Sequence, residues 1–287
     1  MEATRVTVVG GRRVAWTEHG DPGGRLVVFL HGIPDSRLGK SYLDAAARER
    51  GLRVVCPDRP GIGRSDPLPD HTVAGYAGQV AALARALGAD RYGVLGYSGG
   101  GPFALACAAG ADPHLTAVTV VAGLGPLDRE GARAGVGTED LDMIDLARHR
   151  PWLGALVLRG ERLAVRLAPG FALRLTADGL TAHDRAMLDH VGGELLLAGF
   201  AEALRPGPRG VLAEYALLGA PWELDWKAVA VPVHLVAGED DRTVPLHHAE
   251  DVLARLPADV GTLHRIPDAG HVSVVRHLGA VLDTLAG

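Results

Sequence analysis

One serine stands out by its neighbours. Gly96-Tyr97-Ser98-Gly99-Gly100 follows the apolar run Tyr92–Leu95 and precedes the helical stretch Phe103–Ala109. A GxSxG pattern alone is weak, because Gly and Ser are common residues. Placed between a strand and a helix, it has a physical reading. The serine takes a strained turn conformation, and the neighbouring backbones pass so closely that side chains at Gly96 and Gly100 would collide. Such a turn lifts the hydroxyl to a helix N-terminus, where developing negative charge is stabilised. Pro102 suits the first helical turn, which needs no amide donor there. The bland alternative is a Gly-rich turn with a solvated serine. A serine hydroxyl is a poor nucleophile near neutral pH, so Ser98 requires a base. The chain holds 13 His, and type alone does not choose among them.

The elements around this turn follow from the apolar patterning. Short apolar runs at Leu26–Leu30, Leu52–Cys56, Tyr92–Leu95, Leu115–Val121, Val231–Val236 and Gly261–Ile266 alternate with longer helical patterns. That is the signature of a parallel sheet with crossover helices. Arg5–Val9 and Arg13–Thr17 flank Gly10-Gly11, which reads as a hairpin turn and predicts an antiparallel pair at the start of a sheet of about eight strands. Between Thr72 and Leu87, the residues Val73, Tyr76, Ala77, Val80, Ala84 and Leu87 share one helical face, with Thr72 as N-cap and Gly88 as stop. From Gly123 to about Asp225 the strand signal disappears. There Thr138-Glu139-Asp140 opens a helix ending at Arg148 and His149, with Pro151 beyond, and Thr181-Ala182-His183-Asp184 resembles a capping box opening another. We read a helical cap (125–225) inserted into an α/β core made of residues 1–124 and 226–287.

With these elements in place, the chain resembles the α/β-hydrolase superfamily over nearly its whole length. The Ser98 turn is similar to that family's nucleophile elbow. His31-Gly32-Ile33-Pro34, after the first long apolar run, resembles its oxyanion-loop HGxP motif. Asp58-Arg59-Pro60-Gly61-Ile62-Gly63-Arg64-Ser65 resembles its D-x-P-G-x-G-x-S turn, Gly238 to Pro245 its acid-bearing loop, and Gly270-His271 its histidine loop. The resemblance implies an α/β-hydrolase fold with an eight-stranded, mostly parallel sheet, Ser98 as nucleophile, His271 as base and Asp241 as the acid. Glu239 and Asp240 compete for the acid's place, and so does Asp128, since some relatives carry the acid after the preceding strand. It implies oxyanion donors from the backbone N–H groups of Ile33 and Gly99. His31 then reads as a structural member of its loop, Asp58 and Asp66 as turn-fixing acids, and His247-His248 as solvated residues at a helix start.

The implied activity is that of a serine hydrolase acting on a small-to-medium carboxylic ester through an acyl-enzyme, with no cofactor and no metal. The same three residues also serve C–C bond hydrolysis, perhydrolysis, amide hydrolysis and acyl transfer, and these stay open. Relatives that open epoxides or carbon–halogen bonds use an Asp nucleophile where this chain has Ser98. Proline iminopeptidase relatives usually show HGGPG and Gly-x-Ser-Trp-Gly, from which His31-Gly32-Ile33-Pro34 and Gly99 depart. A ligand-binding protein on the same scaffold is the alternative of another class. In the expected cap, Leu153, Leu156, Val157, Phe171, Leu196 and Phe200 would supply an apolar pocket; the plainer alternative is that they pack the cap onto the core.

Composition bounds the rest. The 287 residues carry 29 Lys+Arg against 34 Asp+Glu, a formal charge of −5, with 47% hydrophobic residues. Such a chain is an ordinary globular one, and its acidic balance argues against a general nucleic-acid binder. No apolar run reaches the roughly 18–20 residues of a membrane span; Leu115 to Leu127 is the longest stretch of that kind. Met1 to Arg5 lacks a basic region followed by an apolar core, so no secretory leader and a cytoplasmic address are expected. Cys56 and Cys107, far apart and without a CxxC pairing, read as buried free thiols. The expected partner is a small-molecule substrate, with no nucleic acid and no membrane; the oligomeric state is not set by these patterns.

Overall fold

The apolar runs become eight strands of one sheet. They are β1 (Arg5–Val9), β2 (Arg12–Gly20), β3 (Arg25–Leu30), β4 (Leu52–Pro57), β5 (Tyr92–Tyr97), β6 (Leu115–Val121), β7 (Val233–Gly238) and β8 (Gly261–Ile266). The structure is a computed structural model and describes residues 3–286, so Met1, Glu2 and Gly287 lie outside the described residues. The strand order is β1-β2-β4-β3-β5-β6-β7-β8. β1 pairs antiparallel with β2, and β2 antiparallel with β4; every later pairing is parallel. Gly10 and Gly11 close the β1–β2 hairpin at φ 56° and 77°, the left-handed pair that a two-residue turn of matching twist demands. β7 begins two residues later than the apolar run, after Pro232, which has no N–H to give the ladder.

The helices are α1 (Asp44–Glu49), α2 (Tyr76–Ala86), α3 (Gly101–Ala109), α4 (Thr138–His149), α5 (Pro151–Leu167), α6 (Pro169–Asp178), α7 (Ala182–Val191), α8 (Gly193–Ala203), α9 (Arg209–Leu218), α10 (His247–Arg255) and α11 (Leu278–Asp283). Alternate residues of β3 show why the sheet needs cover on both faces. Val27 and Phe29 pack with Leu43, Ala47, Val281 and Leu282 on one side, where α1 and α11 lie. Leu26, Val28 and Leu30 pack with Tyr76, Val80, Phe103 and Val252 on the other, where α2, α3 and α10 lie. Strands buried on both faces are apolar throughout, which is why they were legible as runs rather than as alternations. Cys56 and Cys107 are buried and unbonded to each other.

Two boundaries differ from the sequence reading. Thr72 Oγ accepts from the Gly75 N–H at 2.9 Å, but it caps a turn, and α2 starts only at Tyr76, beyond that poor helix former. Pro151 does more than stop α4, because it stands at the start of α5. Among the described residues no strand lies between β6 and β7; the helices α4 to α9 fill that interval. Ile144, Leu158, Val211, Tyr215 and Leu218 from these helices, with Leu204 just past α8, join the same apolar cluster as α2 and α3.

Strand order decides where chemistry can sit. From β3 the chain moves to β4 on one side and later returns to β5 on the other, so the connections diverge at the carboxyl ends of β3 and β5. A crevice opens at such a switch point. Gly100, in the turn after β5, lies so close to the end of β3 that a Cβ there would stand 2.1 Å from the Leu30 carbonyl oxygen. Gly78, in α2, faces open space. Gly100→Ala is therefore expected to lose more than about 4 kcal/mol or fail to fold, whereas Gly78→Ala gains roughly 0.5–1 kcal/mol from helix propensity. Urea unfolding followed by circular dichroism reads both.

Candidate active site

Ser98 occupies the first position after β5, at φ 51°, a left-handed conformation rare for a residue with a side chain. The turn around it is as crowded as the motif requires. A Cβ at Gly96 would lie 2.7 Å from Ala104 Cβ and 2.8 Å from the Gly100 carbonyl oxygen. α3 follows at once, with Pro102 in its first turn. Asp241 sits three residues past β7 and His271 five past β8, so all three side chains rise from the carboxyl edge of the sheet.

There they meet. Ser98 Oγ lies 2.9 Å from His271 Nε2, and His271 Nδ1 lies 2.8 Å from Asp241 Oδ2. The other carboxylate oxygen of Asp241 accepts the backbone N–H groups of Thr243 and Val244, each at 2.8 Å. With the carboxylate held as an acceptor, Nδ1 carries the ring proton and Nε2 is left to accept from the serine. Both His271 and Asp241 are buried. Burial alone would lower the His271 pKa, but the charge of Asp241, its hydrogen bond and the more distant carboxylates of Asp140 and Asp184 outweigh it. The imidazole therefore titrates above its ordinary value. Tyr97 donates its phenol to the His271 carbonyl oxygen at 2.9 Å, fixing the ring's backbone.

The loop after β3 runs beside this array. A Cβ at Gly99 would lie 2.5 Å from Ile33 Cγ2 and 3.3 Å from Ile33 N, and one at Gly32 would lie 3.4 Å from Ser98 Cβ. The backbones of Ile33 and Gly99 thus stand side by side next to the serine. A strand-edge serine hydrogen-bonded through histidine to a carboxylate, beside two adjacent backbone segments, can perform nucleophilic attack on an acyl carbon.

The family model described as the alpha/beta hydrolase fold matches residues 25–278. The chain belongs to the α/β hydrolase fold family. It is 28% identical over 259 residues to the non-heme chloroperoxidase of Streptomyces lividans, with 88% of each chain covered. It is 31% identical over 284 residues to the magnesium-chelatase 30 kDa subunit of Rhodobacter capsulatus, covering 93% of this chain and 89% of that one. Among solved structures, a thermophilic esterase from Thermogutta terrifontis aligns with a TM-score of 0.65 at 22% identity, covering 99% of this chain and 97% of that one. At that identity the likeness is one of fold.

In this α/β hydrolase fold protein, a supporting buried ion pair escaped the sequence reading. Arg59 is fully buried in the turn after β4. It donates Nη1 to the His31 carbonyl oxygen and Nη2 to that of Gly32 at 2.9 Å, bracing the two residues that lead into Ile33. Its charge is met by Glu214 of α9, with Nε–Oε1 at 2.5 Å and Nη2–Oε2 at 2.8 Å. Position inside the Asp58–Ser65 motif was the only signal for Arg59, and nothing local marked Glu214.

The other candidates sort plainly. Glu239 and Asp240 are exposed, and Asp128 pairs with Arg255 at 2.7 Å, so of the four acids the structure brings Asp241 to the imidazole. His31 is buried with Nδ1 2.8 Å from the Gly32 carbonyl oxygen; burial, with the Arg59 charge behind it, holds its pKa well below the usual range. Asp58 accepts the Arg37 and Arg64 backbone N–H groups and pairs with the Arg37 guanidinium, while Asp66 pairs with Arg13, as turn-fixing acids should. His248 corrects the reading of a solvated pair. It is fully buried, its Nδ1 accepts the Gly125 N–H at 3.1 Å, and burial pushes its pKa down to about 4. The start of α10 packs beneath the beginning of the inserted segment, a long-range contact that local polarity does not reveal.

Of the expected pocket residues, Leu156, Val157, Phe171 and Leu196 are exposed, whereas Leu153 and Phe200 are half-buried, Phe200 against the main core. The exposed side chains His183, Asp240 and Asp268 gather within 4.8 Å of one another; exposed acids do this without an ion, and no metal is assigned there. Among the described residues no helix is long and apolar enough to cross a membrane. Removing one partner of a buried ion pair leaves the other charge uncompensated. Glu214→Gln should therefore cost about 3–5 kcal/mol of stability in a urea titration, a loss far larger than any exposed acid of the chain would give.

Proposed function

We propose that this protein is a serine hydrolase of small-to-medium carboxylic esters, working through an acyl-enzyme. The observation that carries the reading is the continuous chain from Ser98 Oγ through His271 to Asp241, at 2.9 and 2.8 Å. Ser98 attacks the ester carbonyl carbon while its proton passes to His271 Nε2, a step worth about 10²–10⁴-fold. Asp241 holds the imidazole in the accepting tautomer and stabilises the imidazolium. The tetrahedral oxyanion accepts the backbone N–H groups of Ile33 and Gly99, each donor contributing about 3–4 kcal/mol. Collapse expels the alcohol, which takes the proton from His271. Water then attacks the acyl-enzyme, gives its proton to the same nitrogen, and the carboxylic acid leaves with Ser98 restored.

In this reading α4 to α9 form a cap over the carboxyl edge, and its apolar residues, Leu153 and Phe200 among them, meet the acyl or alcohol portion. The likeness to the Streptomyces lividans non-heme chloroperoxidase favours a second reading of the same intermediate, in which hydrogen peroxide replaces water and releases a peracid.

Initial rates on p-nitrophenyl esters of increasing acyl length test the proposal. The wild type should turn them over with an optimum at short to medium length, and Ser98→Ala should lose about 10⁴-fold or more. A fluorophosphonate should label the wild type at Ser98 and leave the variant unlabelled. A folded protein that neither hydrolyses nor labels would point to the ligand-binding alternative, and faster turnover with peroxide than with water would favour the second reading. The pH profile has a fixed sign. His271 must be neutral to act as base and is protonated below its pKa, which lies above the ordinary value of about 6.5. kcat/KM should fall tenfold per pH unit on the acid side, with its inflection above about pH 6.5. An acid limb still flat below about pH 5 would sink the assignment of His271.

A further inference from the structure

The capping box at the start of α7 is half made, and its missing half is at the candidate active site. Thr181 Oγ accepts the Asp184 N–H at 3.1 Å, as an N-cap should. In a complete box the Asp184 carboxylate would turn back to the Thr181 N–H. Instead it reaches across to the loop that carries His271. One oxygen accepts the His271 N–H at 3.2 Å; the other accepts the Val272 N–H at 3.0 Å and the Ser273 N–H and hydroxyl, both at 2.8 Å. Ser273 Oγ in turn accepts the Gly270 N–H at 2.8 Å. A Cβ at Gly270 would stand 2.3 Å from the carboxylate, so Gly270 also gives the acid its room. Asp184 itself is buried at 1% exposure, although it belongs to a helix inserted between β6 and β7.

A buried carboxylate that takes three consecutive backbone N–H groups fixes the orientation of the chain that carries them. His271 is then held at both backbone polar groups: its N–H by Asp184 and its carbonyl oxygen by Tyr97. Its ring is held at both nitrogens by Ser98 and Asp241. Burial would raise the Asp184 pKa, but the hydrogen bonds from Ser273, Thr181 and Val272 outweigh it, so the group stays ionised beside the imidazole. We propose that Asp184 is a positioning residue for His271, holding the base against Ser98 from the inserted helices. This rests on the reading of His271 as general base. It adds that the inserted helices form part of the catalytic apparatus through one carboxylate, besides covering the sheet edge.

The charged and titratable groups that face His271 are Asp241 from the loop after β7, Asp140 from α4 and Asp184 from α7, with the neutral Tyr97 phenol behind. The test is Asp184→Asn, which keeps the shape but opposes an amide NH2 to a backbone N–H and removes the charge. With folding checked by circular dichroism, kcat on a p-nitrophenyl ester should fall about 10- to 100-fold with KM within about twofold. The acid limb of kcat/KM should move to lower pH, because one of the carboxylates that favour imidazolium is gone. A folded Asp184→Asn with unchanged kcat and unchanged acid limb would overturn the proposal and leave Asp184 a stabilising contact only. If the variant does not fold, Ser273→Ala carries the test: a kcat loss of about threefold or more at constant KM supports the proposal, and wild-type kcat overturns it. Should the wild type hydrolyse no ester, NMR titration of the His271 ring still decides. A His271 pKa lower in Asp184→Asn by about half a pH unit or more supports the proposal, and an identical titration rejects it, whatever the substrate.

Discussion

Ser98 persists at φ 51° because its surroundings allow nothing else. That conformation costs about 1–3 kcal/mol in a residue with a side chain, and the turn is enforced by backbone that passes within contact distance on two sides. Gly96 lies against Ala104 and Gly100, and Gly100 lies against the carbonyl oxygens of Leu30 and His31. The same crowding that strains the serine presses the end of β5 against the end of β3. It brings Ile33 beside Gly99 and points the hydroxyl out of the sheet edge. The adjacency of β3 and β5 in the strand order is thus the condition on which both the Ser98 turn and the backbone segments beside it depend.

Around that point the protein uses buried charge to tie its inserted helices to its loops. α9 sends Glu214 to Arg59, which braces the loop of His31 and Gly32. α8 sends Glu202 to Arg37 at 2.8 Å, and Arg37 also pairs with Asp58 in the following turn. α7 sends Asp184 to the loop of His271. Three successive helices each give one acid to a different loop at the carboxyl edge. Fully paired buried charges add little net stability over apolar packing, but they penalise misplacement heavily, since any shift strands a charge away from water. Apolar residues from α4 to α9 supply the adhesion, while these acids fix the position of the loops that bear on Ser98.

Much of this was written locally. Apolar runs marked the strands because both faces of the sheet are covered, and the Ser98 turn was legible because strand, glycine-flanked serine and helix follow one another directly in the chain. Patterns of this kind report short-range physics. Resemblance to an acid-bearing loop pointed to Asp241, but residue type did not separate it from Glu239 and Asp240 beside it or from Asp128 far upstream; in the fold it is Asp241 that stands 2.8 Å from a histidine 30 positions away. His248 misled for the mirror-image reason. His247 before it and Glu250 after it are polar, while its neighbours in space, Gly125 among them, bury it.

By itself the sequence determined the order of the strands along the chain, the strand-free interval between β6 and β7, the strained serine turn, the burial of both cysteines and the short list of acids considered for the place beside His271. Those properties depend on periodicity, turn chemistry and steric demands within one or two elements. The tertiary structure alone decided that Arg59 and Glu214 pair across 155 residues, and that Asp184 leaves its own helix cap for the loop of His271. Such pairings depend on which chain ends the sheet brings to one edge, and hydrogen-bond strength falls off within a few tenths of an ångström. A linear pattern carries residue types over those separations, but not distances.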